Sequence, residues 1–190
     1  MQIIHDFLTK NDFSRSARPL KEVRGIVIHW TANPAANAKE TRDYFERRKD
    51  GKDGYGSAHY IIDQNGLIIA AVPEYEIAYH CGSSQPDPVS GKIYTDEARK
   101  RYGDYASETK SPNHCTIGIE LCPIDDFGLF STATIEAAIE LCTSLCARYR
   151  LTGADITTHH NIVGYKDCPK LWTEQPELLD AFRYDVDKRL

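Results

Sequence analysis

Short β-branched runs recur along this chain, each followed by a turn signal or by a stretch of helical period. Gly25 through His29 is such a run, bounded by a glycine, and reads as a buried strand with His29 at its C-terminal end. Ala58 through Ile62 resumes strand character, Asp63-Gln64-Asn65-Gly66 carries the Asn-Gly turn signal, and Leu67 through Val72 is the returning strand. Cys115 through Leu121 alternates like a strand, with Glu120 near its end. Asp155 to Thr158 is a short strand leading directly into His159 and His160. Helical patterns lie between these runs. Asn37 and Glu40 resemble a capping box that opens a helix to Arg48, with Tyr44 and Phe45 turned inward. Ala133 to Arg150 places Ile135, Ala138, Ile139, Cys142, Leu145, Cys146 and Tyr149 on one face. Pro176 opens a closing helix whose buried stripe is Leu178, Leu179, Phe182 and Val186. Strands and helices mixed in this order predict an α/β fold, a single domain with a central mixed β-sheet flanked by helices.

A length of 190 residues suits one domain with a proper core. Residues 1–24 are polar and irregular and are expected to wrap the surface ahead of the first strand, leaving 25–190 as the domain proper. From Gly82 to His114 the pattern fades among prolines, glycines and charges, although Thr95 to Tyr102 fits a short helix. A stretch of that length either covers a substrate or is a solvated excursion. A net charge of −5 gives no general attraction to nucleic acid or anionic membrane. No apolar run approaches the roughly 20 residues needed to cross a bilayer, so no membrane insertion is expected. The N-terminus carries acid where a signal peptide would be basic, so the expectation is synthesis in the cytoplasm without a signal peptide.

The chemistry concentrates in Thr158-His159-His160-Asn161-Ile162-Val163-Gly164-Tyr165-Lys166-Asp167-Cys168-Pro169. Zinc favours nitrogen and thiolate sulfur, and catalytic zinc takes three protein ligands and keeps one position open. This stretch can supply two ligands, and His29 is the best candidate for the third. The six cysteines show no Cys-x-x-Cys pair, which argues against a zinc knuckle, and free thiols are expected. Cys142 and Cys146 read as small apolar core residues, whereas Cys168 alone sits in histidine-rich company. His159 and His160 are adjacent, and adjacent strand residues point to opposite sides, so only one faces a metal. Periodicity does not choose between them. Lys166 is either a solvated lysine or an ammonium that stabilises an oxyanion. Glu120 is either a carboxylate ending a strand in water or a group that takes a proton from water and passes it to a leaving amine. His59 and His80 are candidates for substrate contact, each equally readable as a core histidine.

These segments together resemble the zinc-dependent N-acetylmuramoyl-L-alanine amidases, the type 2 amidase and peptidoglycan recognition protein superfamily, and within it Gram-positive autolysins and phage endolysins. Asn11-Asp12-Phe13-Ser14-Arg15 with Pro19-Leu20 resembles their N-terminal segment, and Ile26-Val27-Ile28-His29-Trp30-Thr31-Ala32-Asn33-Pro34 their first-ligand motif. Ser57-Ala58-His59-Tyr60-Ile61-Ile62-Asp63, Ala78-Tyr79-His80-Cys81-Gly82 and Thr116-Ile117-Gly118-Ile119-Glu120-Leu121 match their middle sections. The resemblance runs from about Asn11 to Pro169. It implies residues 25–190 as an amidase catalytic domain with one catalytic Zn2+, held by His29, His159 and Cys168, with Glu120 and Lys166 catalytic. His159 is preferred over His160 because Asn161 and Ile162 fall where relatives carry an acidic and then an aliphatic residue. Departures remain: Asn161 replaces the acid, the interval to Cys168 is one residue longer, and Ala58 stands where some relatives have a catalytic tyrosine.

The implied activity is hydrolysis of the amide between N-acetylmuramic acid and L-alanine in peptidoglycan. Peptidoglycan or muropeptides are then the partner, no nucleic acid is involved, and no separate wall-binding domain is expected. The implied site of action is the cell wall, reached after lysis or by unconventional release. The alternative is a recognition module that binds peptidoglycan without cutting it, against which the presence of Cys168 argues. A structural zinc protein is a weaker reading, because three ligands leave the site open.

Overall fold

A computed structural model describes residues 2–190. Six strands make one mixed sheet: β1 (Ile3–His5), β2 (Gly25–Trp30), β3 (Tyr60–Ile62), β4 (Ile68–Ala70), β5 (Thr116–Leu121) and β6 (Ile156–Thr158), in the order β1-β4-β3-β5-β2-β6. Only β3 and β4 run antiparallel, as the Asn-Gly turn dictates. β3, β5, β2 and β6 are mutually parallel, which brings their C-terminal ends to one edge.

The helices are α1 (Ala38–Arg47), α2 (Asp96–Tyr102), α3 (Thr132–Tyr149), α4 (His159–Val163), α5 (Lys170–Glu174) and α6 (Glu177–Asp187). Alternation along the strands sorts them into two layers. Ile26 and Ile28 of β2, with Ile117, Ile119 and Leu121 of β5, form the main core with Ala138, Ile139, Cys142, Leu145 and Cys146 of α3 and Leu179, Phe182 and Val186 of α6. The opposite face is covered by two separate packages. Ala38 and Phe45 of α1 pack on Ile61 and Ile69, while Ala98 and Tyr102 of α2 and Ile162 and Val163 of α4 pack on Val27. The expected α/β domain with a central mixed sheet is what forms.

Three local expectations need correction. The first 24 residues do more than wrap the surface, because Ile3–His5 pairs in parallel with Ile68–Ala70 as an edge strand. Arg15 then anchors the segment through a two-pronged bond to Glu76 (2.8 and 2.9 Å), with Glu76 almost fully buried. On α1 the capping box forms as expected, and Phe45 is buried, but Tyr44 is 41% exposed. Adjacent helical positions lie about 100° apart, so one turned inward leaves the other at the rim. The stretch from Gly82 to His114 is more than a solvated excursion: part of it packs on the sheet, and its two ends, from Gly82 to Ser84 and from Ser111 to His114, border a groove. Ala98 and Tyr102 of α2, with Tyr94 just ahead of the helix, are buried in the second package, and Thr95 caps α2 while bonding the α4 carbonyls of Asn161 (2.5 Å) and Ile162 (3.1 Å).

Candidate metal centre and active site

Strand register places the first half of the site. His29 on β2 is the Cα partner of Glu120 on β5, so both side chains leave the sheet on the face opposite the main core. That face carries Gly25, Val27 and His29 of β2 beside Thr116, Gly118 and Glu120 of β5. β6 lies on the other side of β2 and ends at Thr158, whose side chain caps α4 by accepting a hydrogen bond from Asn161 N (3.2 Å). His159 therefore emerges beside His29, with ring centroids 4.8 Å apart.

The paired histidines are the first residues of a helix, not the end of a strand, so the opposite-sides argument does not apply to them. Their different roles follow from their partners. His160 Nδ1 lies 2.8 Å from the carbonyl of Lys166, which can only accept, and the His160 amide donates to the Cys168 carbonyl (3.0 Å). His160 thus holds the loop that returns Cys168 to the cluster. His159 Nε2, in contrast, is buried without a hydrogen-bond partner among the described residues.

His29, His159 and Cys168 offer ligand atoms that all lie within 4.8 Å of one another, the one such group among the described residues. His29 Nδ1 faces Cys168 Sγ at 3.8 Å. A buried imidazole nitrogen left without a partner costs free energy unless something binds it, and two imidazoles with one thiol are a donor set that fits zinc. Burial lowers the His29 pKa far below its usual value, and the neighbouring His159, His80 and Lys166 add to the effect. Burial, then the Lys166 charge, takes His159 down to about 3. Both rings are neutral at neutral pH and have lone pairs to offer. Burial raises the Cys168 thiol, with Glu120 adding to the rise, and an approaching cation would reverse that.

Glu120 completes the cluster. Its Oε2 is buried without a hydrogen-bond partner among the described residues, and burial pushes its carboxyl up to about 8 while Lys166 pulls it back. Lys166 is exposed, near the Tyr165 ring at 5.9 Å. All five residues line one groove of about 1080 Å³ that also exposes Tyr55, Tyr79 and Arg48. A second cavity of about 570 Å³ on the α1 side shares Trp30, Tyr44, Phe45 and Glu120, so the groove continues past Glu120 in both directions.

The two histidines expected to touch substrate do not present themselves for it. His59 is fully buried: its Nδ1 accepts from Gly118 N (3.0 Å) and its Nε2 donates to the Glu76 carbonyl (2.9 Å). With both nitrogens spent inside the protein, His59 is a core residue. His80 borders the groove but is 8% exposed, and its ring nitrogens face His29 (3.0 Å) and Thr116 (3.2 Å). Sequence reasoning also missed Asn113, whose side-chain oxygen accepts from the His80 and Cys81 amides, and Gly118. The signal for Gly118 was a glycine inside a β-branched strand, which marks close approach of another group. A Cβ there would meet His80 Cγ at 2.4 Å.

An α/β sheet brings two imidazoles, a thiol and a buried carboxyl together at its C-terminal edge, in a cleft whose donor set suits a metal ion. The match to known proteins agrees: the family described as N-acetylmuramoyl-L-alanine amidase covers residues 19–171. The chain belongs to that family. A probable N-acetylmuramoyl-L-alanine amidase of Bacillus licheniformis is 32% identical over 191 residues, covering 100% of this chain and 48% of the relative. The amidase BlyA of Bacillus subtilis strain 168 is 27% identical, covering 98% and 47%. The chain thus spans about half the length of the curated relatives it matches. Among solved structures, the catalytic domain of XlyA superposes with a TM-score of 0.68 at 21% identity, covering 98% of this chain and 99% of that one. The PlyG catalytic domain gives 0.70 at 18%, covering 99% and 94%. These likenesses confirm the fold. No helix among the described residues is long and apolar enough to cross a membrane.

Proposed function

We infer that the chain is a zinc-dependent amidase that cleaves the bond between N-acetylmuramic acid and L-alanine in peptidoglycan. The observation that carries this reading is the convergence of His29, His159 and Cys168 around a partnerless buried nitrogen, with Glu120 beside them, in a chain of this family. His29 Nδ1, His159 Nε2 and Cys168 Sγ are the assigned ligand atoms, and three ligands leave one position open. Zinc bound there supplies Lewis acidity and a water with a pKa of about 7.

The protein's own groups do the rest. Glu120 takes the proton of the attacking water and delivers it to the nitrogen of the leaving L-alanine; burial raises its carboxyl to about 8, and a cation held by its neighbours would favour the ionised form that accepts the first proton. Lys166, which lines the same groove, offers its ammonium to the carbonyl oxygen as negative charge develops there. The groove on either side of Glu120 holds the polymer so that one lactyl amide lies over the carboxyl. The substrate is peptidoglycan or muropeptides, and the site of action is the cell wall, reached after lysis or by unconventional release.

The test is digestion of purified Gram-positive cell walls with zinc-loaded protein, scoring new L-alanine amino termini. Release by wild type and none by Glu120→Ala supports the assignment. Wall binding without release in both would establish the recognition-module reading in its place.

A further inference from the structure

Behind His29, away from the groove, a line of buried polar groups runs into the sheet. His29 Nε2 lies 3.0 Å from His80 Nδ1, His80 Nε2 lies 3.2 Å from Thr116 Oγ1, and Thr116 Oγ1 lies 2.7 Å from the Pro112 carbonyl. Thr116 is fully buried, and His80 is nearly so. The chain ends on a carbonyl, which can only accept, and a Thr116 hydroxyl that donates to it sets the direction of every bond before it. The Thr116 hydroxyl spends its one hydrogen on Pro112. Its oxygen must then accept from His80 Nε2–H. His80 Nδ1 is left as a lone pair and accepts from His29 Nε2–H. His29 Nδ1 is left unprotonated, and it is the nitrogen that faces Cys168 Sγ.

We propose that Thr116 and His80 are positioning residues that set the tautomer of His29, holding its Nδ1 as a free lone pair for the metal. This rests on the zinc reading above but concerns the neutral protein; no group gains or loses a proton. A second arrangement exists in principle, because Pro112 O also accepts the Cys115 amide (3.0 Å) and does not depend on the hydroxyl. Thr116 would then donate to His80 Nε2, both rings would carry Nδ1–H, and His29 would point a hydrogen at the metal position. Distance selects the first: 2.7 Å to the carbonyl against 3.2 Å to the ring.

The surroundings hold this relay in place. The Asn113 side-chain oxygen takes the amides of His80 (3.0 Å) and Cys81 (2.8 Å) and the Cys81 thiol (3.3 Å), fixing the backbone that carries His80. Gly118 leaves the space that the His80 ring occupies. Ligand histidines usually give their outer N–H to a carboxylate, a carbonyl or water, and loss of that partner lowers metal affinity about 10–100-fold. Here the carbonyl is reached through two side chains, His80 and Thr116, instead of directly.

The experiment is a long-range proton–nitrogen correlation on ¹⁵N-labelled, zinc-stripped full chain, with zinc affinity measured by chelator competition. In wild type, both His29 and His80 should show pyrrole-like Nε2 and pyridine-like Nδ1. Thr116→Val should mix the tautomers and weaken zinc about 10–100-fold, while Thr116→Ser restores both. Nδ1–H on both rings of the wild type overturns the proposal, as does Thr116→Val with unchanged ring signals and zinc affinity. If Thr116→Val fails to fold by circular dichroism, the wild-type tautomers still decide. Correct tautomers and tight zinc in a protein that frees no wall peptides would sink the amidase reading alone.

Discussion

Glu120 and His29 are register partners on adjacent parallel strands, so the proposed general base and the proposed first metal ligand share one face and one height of the sheet. Neither can be displaced without shearing β5 against β2.

Glu120→Gln keeps the size of the side chain and removes the base. Turnover of purified walls should fall about 10²–10⁴-fold, the usual worth of a positioned acid–base group, with zinc stoichiometry unchanged. Zinc loss in this variant would show that the carboxylate is a ligand instead.

Gly118→Ala tests the packing behind the site. The new methyl would lie 2.4 Å from His80 Cγ, and the ring is confined by Thr116 and His29. Overpacking of this kind costs about 1–3 kcal/mol. Denaturant unfolding should record that loss, and chelator competition should show weaker zinc. Wild-type values for both would mean that the ring has room to move.

Arg15→Ala should destabilise the domain by about 3–5 kcal/mol, because it strands the buried Glu76 carboxylate without its partner. Replacing both residues with apolar groups of similar volume should recover much of the loss. Equal destabilisation by Arg15→Ala and Arg15→Lys would argue for the two-pronged geometry over charge alone.

The zinc-stripped protein should be most stable near pH 7 and lose stability faster on the acid side. Four imidazoles are held neutral by burial, His59 down to about 4, His159 to about 3, and His29 and His80 well below 6.5. Below pH 6.5 the unfolded chain binds more protons than the folded one at these sites, so folding weakens as pH falls. Glu120 works in the opposite sense: its carboxyl ionises at 4.5 when unfolded but at about 8 when folded, so its contribution fades as pH rises through that window. Four groups outweigh one. Denaturation midpoints that hold steady or rise on acidification from pH 6.5 would contradict this picture.

Much of the architecture was legible because local signals agreed with one another. The Asn37 capping box, the Asn65-Gly66 turn and the apolar stripe of Ala133 to Arg150 each announce an element that forms. The identities of His29, Glu120, His159, Lys166 and Cys168 could be read, and the structure gathers them in one groove. The groups behind them could not. His80 reaches Thr116 across 36 positions and His29 across 51, and no pattern within a single element reports such a pairing. Asp155 to Thr158 marked a strand, but nothing in its period showed that Thr158 would cap a helix and turn His159 and His160 onto it. In residues 82–114 the short helix of Thr95 to Tyr102 could be read, but prolines and charges around it hid that Tyr94, Ala98 and Tyr102 would be buried.

His160 gives the site a particular mode of failure. Its ring and amide fasten the returning loop to the start of α4, so His159 and Cys168 belong to one internally braced hairpin. Trp30 Nε1 ties that hairpin to the sheet through the Asp167 carbonyl (3.0 Å), and Tyr165 ties it to Ser83 and Ser84. Whatever lifts the hairpin carries two donors away in a single event and leaves His29 by itself on β2. A cation held here is therefore released whole or kept whole, and its exchange rate reports the opening of the hairpin rather than the strength of any one bond.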